Sequence, residues 1–137
     1  MRHTTLLVTT SWLLTTVLGV TAYAQDIVLT PSELNAHADR YDGKTVRVRG
    51  WLSLYFEDYG LWDSKKAHDT ERTSAPPWPP SCVSVDSYVA GKVKKPASQS
   101  ALVDGIFRKQ FLPPNTISNG VCNNTGLQVT RVRKPNA

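Results

Sequence analysis

Residues able to carry chemistry are scarce in this chain of 137 residues, which has two cysteines, three histidines and one methionine. No Cys-x-x-Cys pair occurs, which argues against a thiol–disulfide enzyme. No His-x-x-x-His or similar ligand spacing occurs, so no resident metal or other cofactor is expected. There is neither a Gly-x-Ser-x-Gly elbow nor a glycine-rich phosphate loop. The length holds one domain and excludes most barrel and doubly wound enzymes, which need about 200 residues or more. Disorder is excluded as well, since hydrophobic residues make up 40% and charged residues 20% of the chain. What is in excess is positive charge: 16 basic against 11 acidic residues, a formal net charge of +5.

Residues 1–24 read as a secretory signal peptide. Arg2 supplies the basic start, and Leu6, Leu7, Val8, Trp12, Leu13, Leu14, Val17, Leu18 and Val20 the apolar run. The first acidic residue is Asp26, and Ala22-Tyr23-Ala24 is a small-x-small site, so cleavage is expected before Gln25. Residues 25–137 then form a single exported domain, periplasmic or secreted, with no membrane-spanning segment after cleavage. In an oxidising compartment Cys82 and Cys122 are expected to form one internal disulfide, with free thiols or an intersubunit bond as the alternatives. Closing a loop of about 40 residues contributes on the order of 4 kcal/mol in the chain-entropy account. The short chain gains from such a staple because its core is small.

Helical and strand signals follow in order. Thr30-Pro31-Ser32-Glu33 is a capping box with proline at the first helical position. Leu34, Ala38 and Tyr41 share one face of a helix of about ten residues, ended by Asp42-Gly43. His37, beside that stripe, reads as a packing or capping residue. Lys44–Phe56 alternates as a strand, with Val46, Val48, Gly50, Leu52 and Leu54 on one face and Arg47, Arg49, Trp51 and Tyr55 on the other. Gly50 marks a bend. Glu57–Gly60 reads as a turn and Gly60–Trp62 as the returning strand. Ser64–Ser81 shows no clean element, and Pro76–Pro80 around Trp78 is expected to be a stiff extended connector. Further strands are expected at Cys82–Asp86, Ala101–Phe111 and Leu127–Arg133. The step from Val129 to Val132 breaks the period of two, which a bulge would restore.

The run Tyr41-Asp42-Gly43-Lys44-Thr45-Val46-Arg47-Val48-Arg49-Gly50-Trp51-Leu52, with Val103-Asp104-Gly105-Ile106-Phe107 and the closing strand, resembles exported bacterial proteins with an OB-like (oligonucleotide/oligosaccharide-binding-like) barrel. The likeness covers residues 31–133. It implies a mainly β fold, a small five-stranded OB-like barrel with a short N-terminal helix, and no settled activity. A generic five- or six-stranded sheet is the alternative fold.

The functional signal lies on one strand. Arg47, Arg49, Trp51 and Tyr55 interleave cations with aromatic surfaces, a pattern suited to an anionic or carbohydrate-like ligand. Lys92, Lys94, Lys95, Arg108, Lys109, Arg131 and Arg133 add charge. The expected function is a non-catalytic exported binding module. Its expected partner is a cell-envelope glycan, a polyanion or another envelope protein, and not intracellular nucleic acid. Two alternatives stand beside it: a structural or stress-related protein–protein partner, and a small hydrolase using Asp58 or Asp63 with His68.

Overall fold

The computed structural model describes residues 27–55, 58–73, 79–86, 98–114 and 122–135. The expected signal peptide, most of the proline-rich connector and Lys92, Lys94 and Lys95 lie outside these residues. The elements in chain order are β1 (Val28–Leu29), α1 (Pro31–Ala36), α2 (Ala38–Tyr41), β2 (Thr45–Tyr55), β3 (Asp58–Trp62), α3 (Lys65–Glu71), β4 (Cys82–Val85), β5 (Gln99–Arg108) and β6 (Gly126–Arg133).

The helical start forms as its residues dictate. The Thr30 hydroxyl accepts the Glu33 amide proton while the Glu33 carboxylate accepts from the Thr30 amide at 2.7 Å. This satisfies two donors that a helix N-terminus otherwise leaves free. The expected single helix is broken at His37, whose backbone leaves helical geometry at φ −127°. Its side chain caps nothing and is exposed. The apolar stripe survives the break: Leu34 is fully buried, and Ala38 and Tyr41 pack against the same core. Truncating such a leucine to alanine costs about 2–5 kcal/mol. Gly43, at φ 74°, turns the chain into β2.

Strand β2 is the spine of the sheet. Its first part pairs antiparallel with β5, from Thr45 opposite Ile106 to Leu52 opposite Gln99. Its second part pairs with β3, from Trp51 opposite Trp62 to Tyr55 opposite Asp58. The strand changes partner by coiling at Gly50, where a Cβ would collide with the carbonyl oxygen of Trp62. Strand β3 pairs antiparallel with β4, β4 parallel with β6, and β6 antiparallel with β5, which closes the ring back onto β2. This is a closed, mixed, five-stranded barrel preceded by a short helix, an OB-like architecture. The two-residue β1, not expected from the sequence, adds parallel to β2 beside Arg47 and Val48.

The barrel interior takes the alternate residues of each strand: Val46, Val48, Leu52 and Leu54 of β2, Val83 and Val85 of β4, Ala101, Val103 and Phe107 of β5, and Leu127 and Val129 of β6. The expected bulge is present. Gly105 faces Val129 and Asp104 faces Arg131, so Thr130 is the extra residue. A second, outward cluster holds Trp62 and the disulfide Cys82–Cys122, with Trp51 packed against it. The disulfide ties the start of β4 to the segment leading into β6, with Cα atoms 5.3 Å apart.

Two expectations need correction. Asp58, assigned to a turn, begins β3 and is buried. Lys65–Glu71, assigned to an irregular stretch, is a helix whose N-cap Ser64 accepts the Ala67 amide proton. Its buried residue is His68, not an apolar one, so apolar periodicity gives no signal for it.

Candidate functional site

The outward face of β2 is not one surface, because Ser53, between Trp51 and Tyr55, is buried. Arg47, at its start, directs Nε to Asp104 Oδ1 at 2.7 Å, and Arg133 takes the other oxygen of Asp104 at 2.7 Å. Arg47 is therefore part of a cross-strand ion network joining β2, β5 and β6. Farther along, Ser53 is completely buried and hydrogen-bonds Asp58 Oδ2 at 2.6 Å. The same oxygen lies 2.8 Å from His68 Nε2 on α3. Beyond that contact Tyr55 is 51% exposed. Buried Ser53, with the Asp58–His68 contact it joins, thus lies between Tyr55 and Trp51 along the strand.

Arg49 and Trp51 stay together. They line a pocket of about 400 Å³ with Asp63, Ser64, Lys65 and Ser100. The bend at Gly50 forms its floor, the start of α3 one wall and the start of β5 another. Trp51 is half-buried, with one side against Trp62 and the disulfide. Lys65 Nζ stands 6.0 Å from the Trp51 ring centroid, the outer range of a cation–π contact. Lys65 also ion-pairs with Asp69, one turn along α3. The Asp69 carboxyl is held below the ordinary aspartate range, first by this hydrogen bond from Lys65 and then by the one from His68. Asp63 accepts the Ser32 amide proton at 2.9 Å and the Ser32 hydroxyl, so it anchors the start of α1 while facing the pocket.

The cations differ in their occupation. Arg47 and Arg133 bind Asp104, Lys65 binds Asp69, and Lys109 binds Asp39 at 2.7 Å. Arg49 is exposed and has no ion-pair partner among the described residues. Arg108 and Lys109 do not join this group. Ser100 lines the pocket near one end of β5 and Arg108 ends the other, a separation of roughly 26 Å along an extended strand.

For the residues of the hydrolase alternative, the structure brings Asp58 and His68 to 2.8 Å, while Asp63 lies apart on the pocket wall. Side chains of Asp58 and His68 are 8% and 9% exposed, and neither lines the pocket. Ser53 bonds to Asp58 and not to the imidazole, the reverse of the order in which a base activates a serine. Among the described residues no group of three or more His, Cys, Asp or Glu is placed to hold a metal. No helix among them is long and apolar enough to cross a membrane.

Reading the sequence missed Lys65, Ser64 and Ser100 as pocket residues. The first two were legible from Ser64 as an N-cap and from Lys65 and Asp69 at a spacing of four. Ser100 is brought in by strand pairing alone, as the residue opposite Trp51. Comparison with protein-family models, with curated proteins and with solved structures gave no match. The barrel itself is consistent with a non-catalytic binding module.

Proposed function

We propose that this chain is an exported, non-catalytic binding module that holds an anionic or carbohydrate-like ligand at Arg49, Trp51 and Lys65. The observation that carries the reading is the pairing, in one pocket of about 400 Å³, of an indole with an exposed guanidinium that has no ion-pair partner among the described residues. Trp51 gives this largely polar pocket an apolar face, and Arg49 and Lys65 are its convergent cationic groups. Export rests on the apolar run and small-x-small site of residues 1–24 and on the resemblance to exported bacterial OB-like proteins. In that compartment envelope glycans and polyanions are the accessible anionic partners.

Within the original set of four residues, the site narrows to Arg49 and Trp51. Arg47 serves the barrel through Asp104, and Tyr55 lies on the far side of buried Ser53 from Trp51. Binding of envelope polysaccharide to immobilised protein, measured over a range of salt, tests the proposal. The expected result is binding that weakens as salt rises and is lost in Trp51→Ala. Binding unchanged in both Arg49→Met and Trp51→Ala would remove the pocket from the account.

A further inference from the structure

Resting on that reading, we infer that the pocket selects a sugar acid, a ring bearing several hydroxyls and a single carboxylate, over both neutral sugars and phosphate polymers. OB barrels commonly use the face of their second and third strands, here β3 and β4. This pocket lies elsewhere, at the bend of β2 beneath the start of α3.

Its walls carry both signs of charge. Arg49 offers a planar fork that matches a carboxylate with two parallel hydrogen bonds. Lys65 shares its charge with Asp69, so it adds positive potential without being a second free cation. Asp63 places a carboxylate on the same wall. Both of its oxygens accept from Ser32, which holds it in position. A fixed carboxylate in the same pocket as the binding cation attracts sugar hydroxyls, and repels a ligand whose negative charges are crowded on adjacent groups, as in a phosphate chain, more than one with a single carboxylate on each ring. Ser64 and Ser100 supply hydroxyls, and the Trp51 indole gives the apolar faces of a sugar ring a surface to lie on. The arrangement matches one negative charge per ring among many hydroxyls. It does not match a row of phosphates.

The test is calorimetric titration of the full chain with three probes: trigalacturonate, a neutral glucose trimer and tripolyphosphate. Trigalacturonate should bind at least about tenfold more tightly than either of the others, and Arg49→Met should erase that preference. Asp63→Asn keeps an oxygen for the Ser32 amide and should raise tripolyphosphate affinity by about tenfold while leaving the fold intact by circular dichroism. Preferred binding of tripolyphosphate by the native chain would overturn the sugar-acid inference and leave an anion-binding pocket. Equal binding of the neutral trimer would overturn it and leave a carbohydrate site. No binding of any probe would overturn the inference together with the reading beneath it.

Discussion

Nε2 of His68 lies 2.8 Å from Oδ2 of Asp58, and this contact fastens α3 to the barrel. The imidazole also faces Asp69 through Nδ1 at 2.9 Å and meets the Trp62 indole edge-on, with ring centroids 5.4 Å apart. Asp58 in turn takes the Ser53 hydroxyl, with Arg72 at 3.9 Å. A polar chain therefore runs from the buried middle of β2 to the surface of α3.

His68→Ala removes the main partner of a buried carboxylate. Leaving a buried polar group without its hydrogen-bond partner is destabilising, and the expected loss is about 2 kcal/mol. The loss should be accompanied by faster amide exchange across Lys65–Glu71, because α3 buries little else. Chemical denaturation and hydrogen exchange check both. Unchanged exchange in α3 would show that the helix is held by other contacts.

Asn35 is a second fastening. Its amide nitrogen donates to the carbonyl oxygens of Pro80 at 2.5 Å and Cys82 at 2.9 Å, and its side-chain oxygen accepts the Thr125 hydroxyl at 2.6 Å. One side chain on α1 thus joins the segment before β4 to the segment before β6. Asn35→Ala removes three hydrogen bonds, two of them part-buried, and should cost about 2 kcal/mol. Denaturant titration of the variant measures it. A change within experimental scatter would mean that water replaces the asparagine at no cost.

Much of the barrel was legible because its strands bury alternate residues. Val46, Val48, Leu52 and Leu54 announce β2, and the broken step from Val129 to Val132 announces the bulge. The capping box announces α1. Helix α3 gives no apolar periodicity, because its buried face is a histidine held by carboxylates; its signals are the Ser64 cap and the Lys65–Asp69 spacing. That single omission changed the site. Without α3, Arg47, Arg49, Trp51 and Tyr55 read as one continuous face. With it, buried Ser53 is tied through Asp58 to His68, Tyr55 is set apart, and Lys65 arrives beside Trp51. The pairing of Arg47 with Asp104 depends on register between strands distant in sequence, so alternation alone does not reveal it.

Asp39 and Lys109 form an exposed pair between α2 and the end of β5. The hydrogen bond and charge of Lys109 hold the Asp39 carboxyl below its ordinary range, and Asp39 raises the Lys109 ammonium above its own. A depressed carboxyl contributes stability that is present above its unfolded value and is lost as pH falls through the folded value. The raised ammonium contributes below its unfolded value and loses that contribution as pH rises through the folded one. Asp39→Asn should therefore lower the melting temperature slightly at neutral pH, and the difference from the native chain should vanish in acid. Melting curves across the acid range decide it. A difference that persists at full protonation would assign the effect to something other than charge.

The central claim is that the ligand is held at the bend of β2. Its most direct test is a nitrogen–proton correlation spectrum recorded during titration with trigalacturonate. The account predicts saturable shifts centred on Arg49, the Trp51 indole, Ser64, Lys65 and Ser100, with Tyr55 and the β4 amides unmoved. Saturable shifts centred on Tyr55 or on the face of β3 and β4, with the Trp51 indole unchanged, would contradict it.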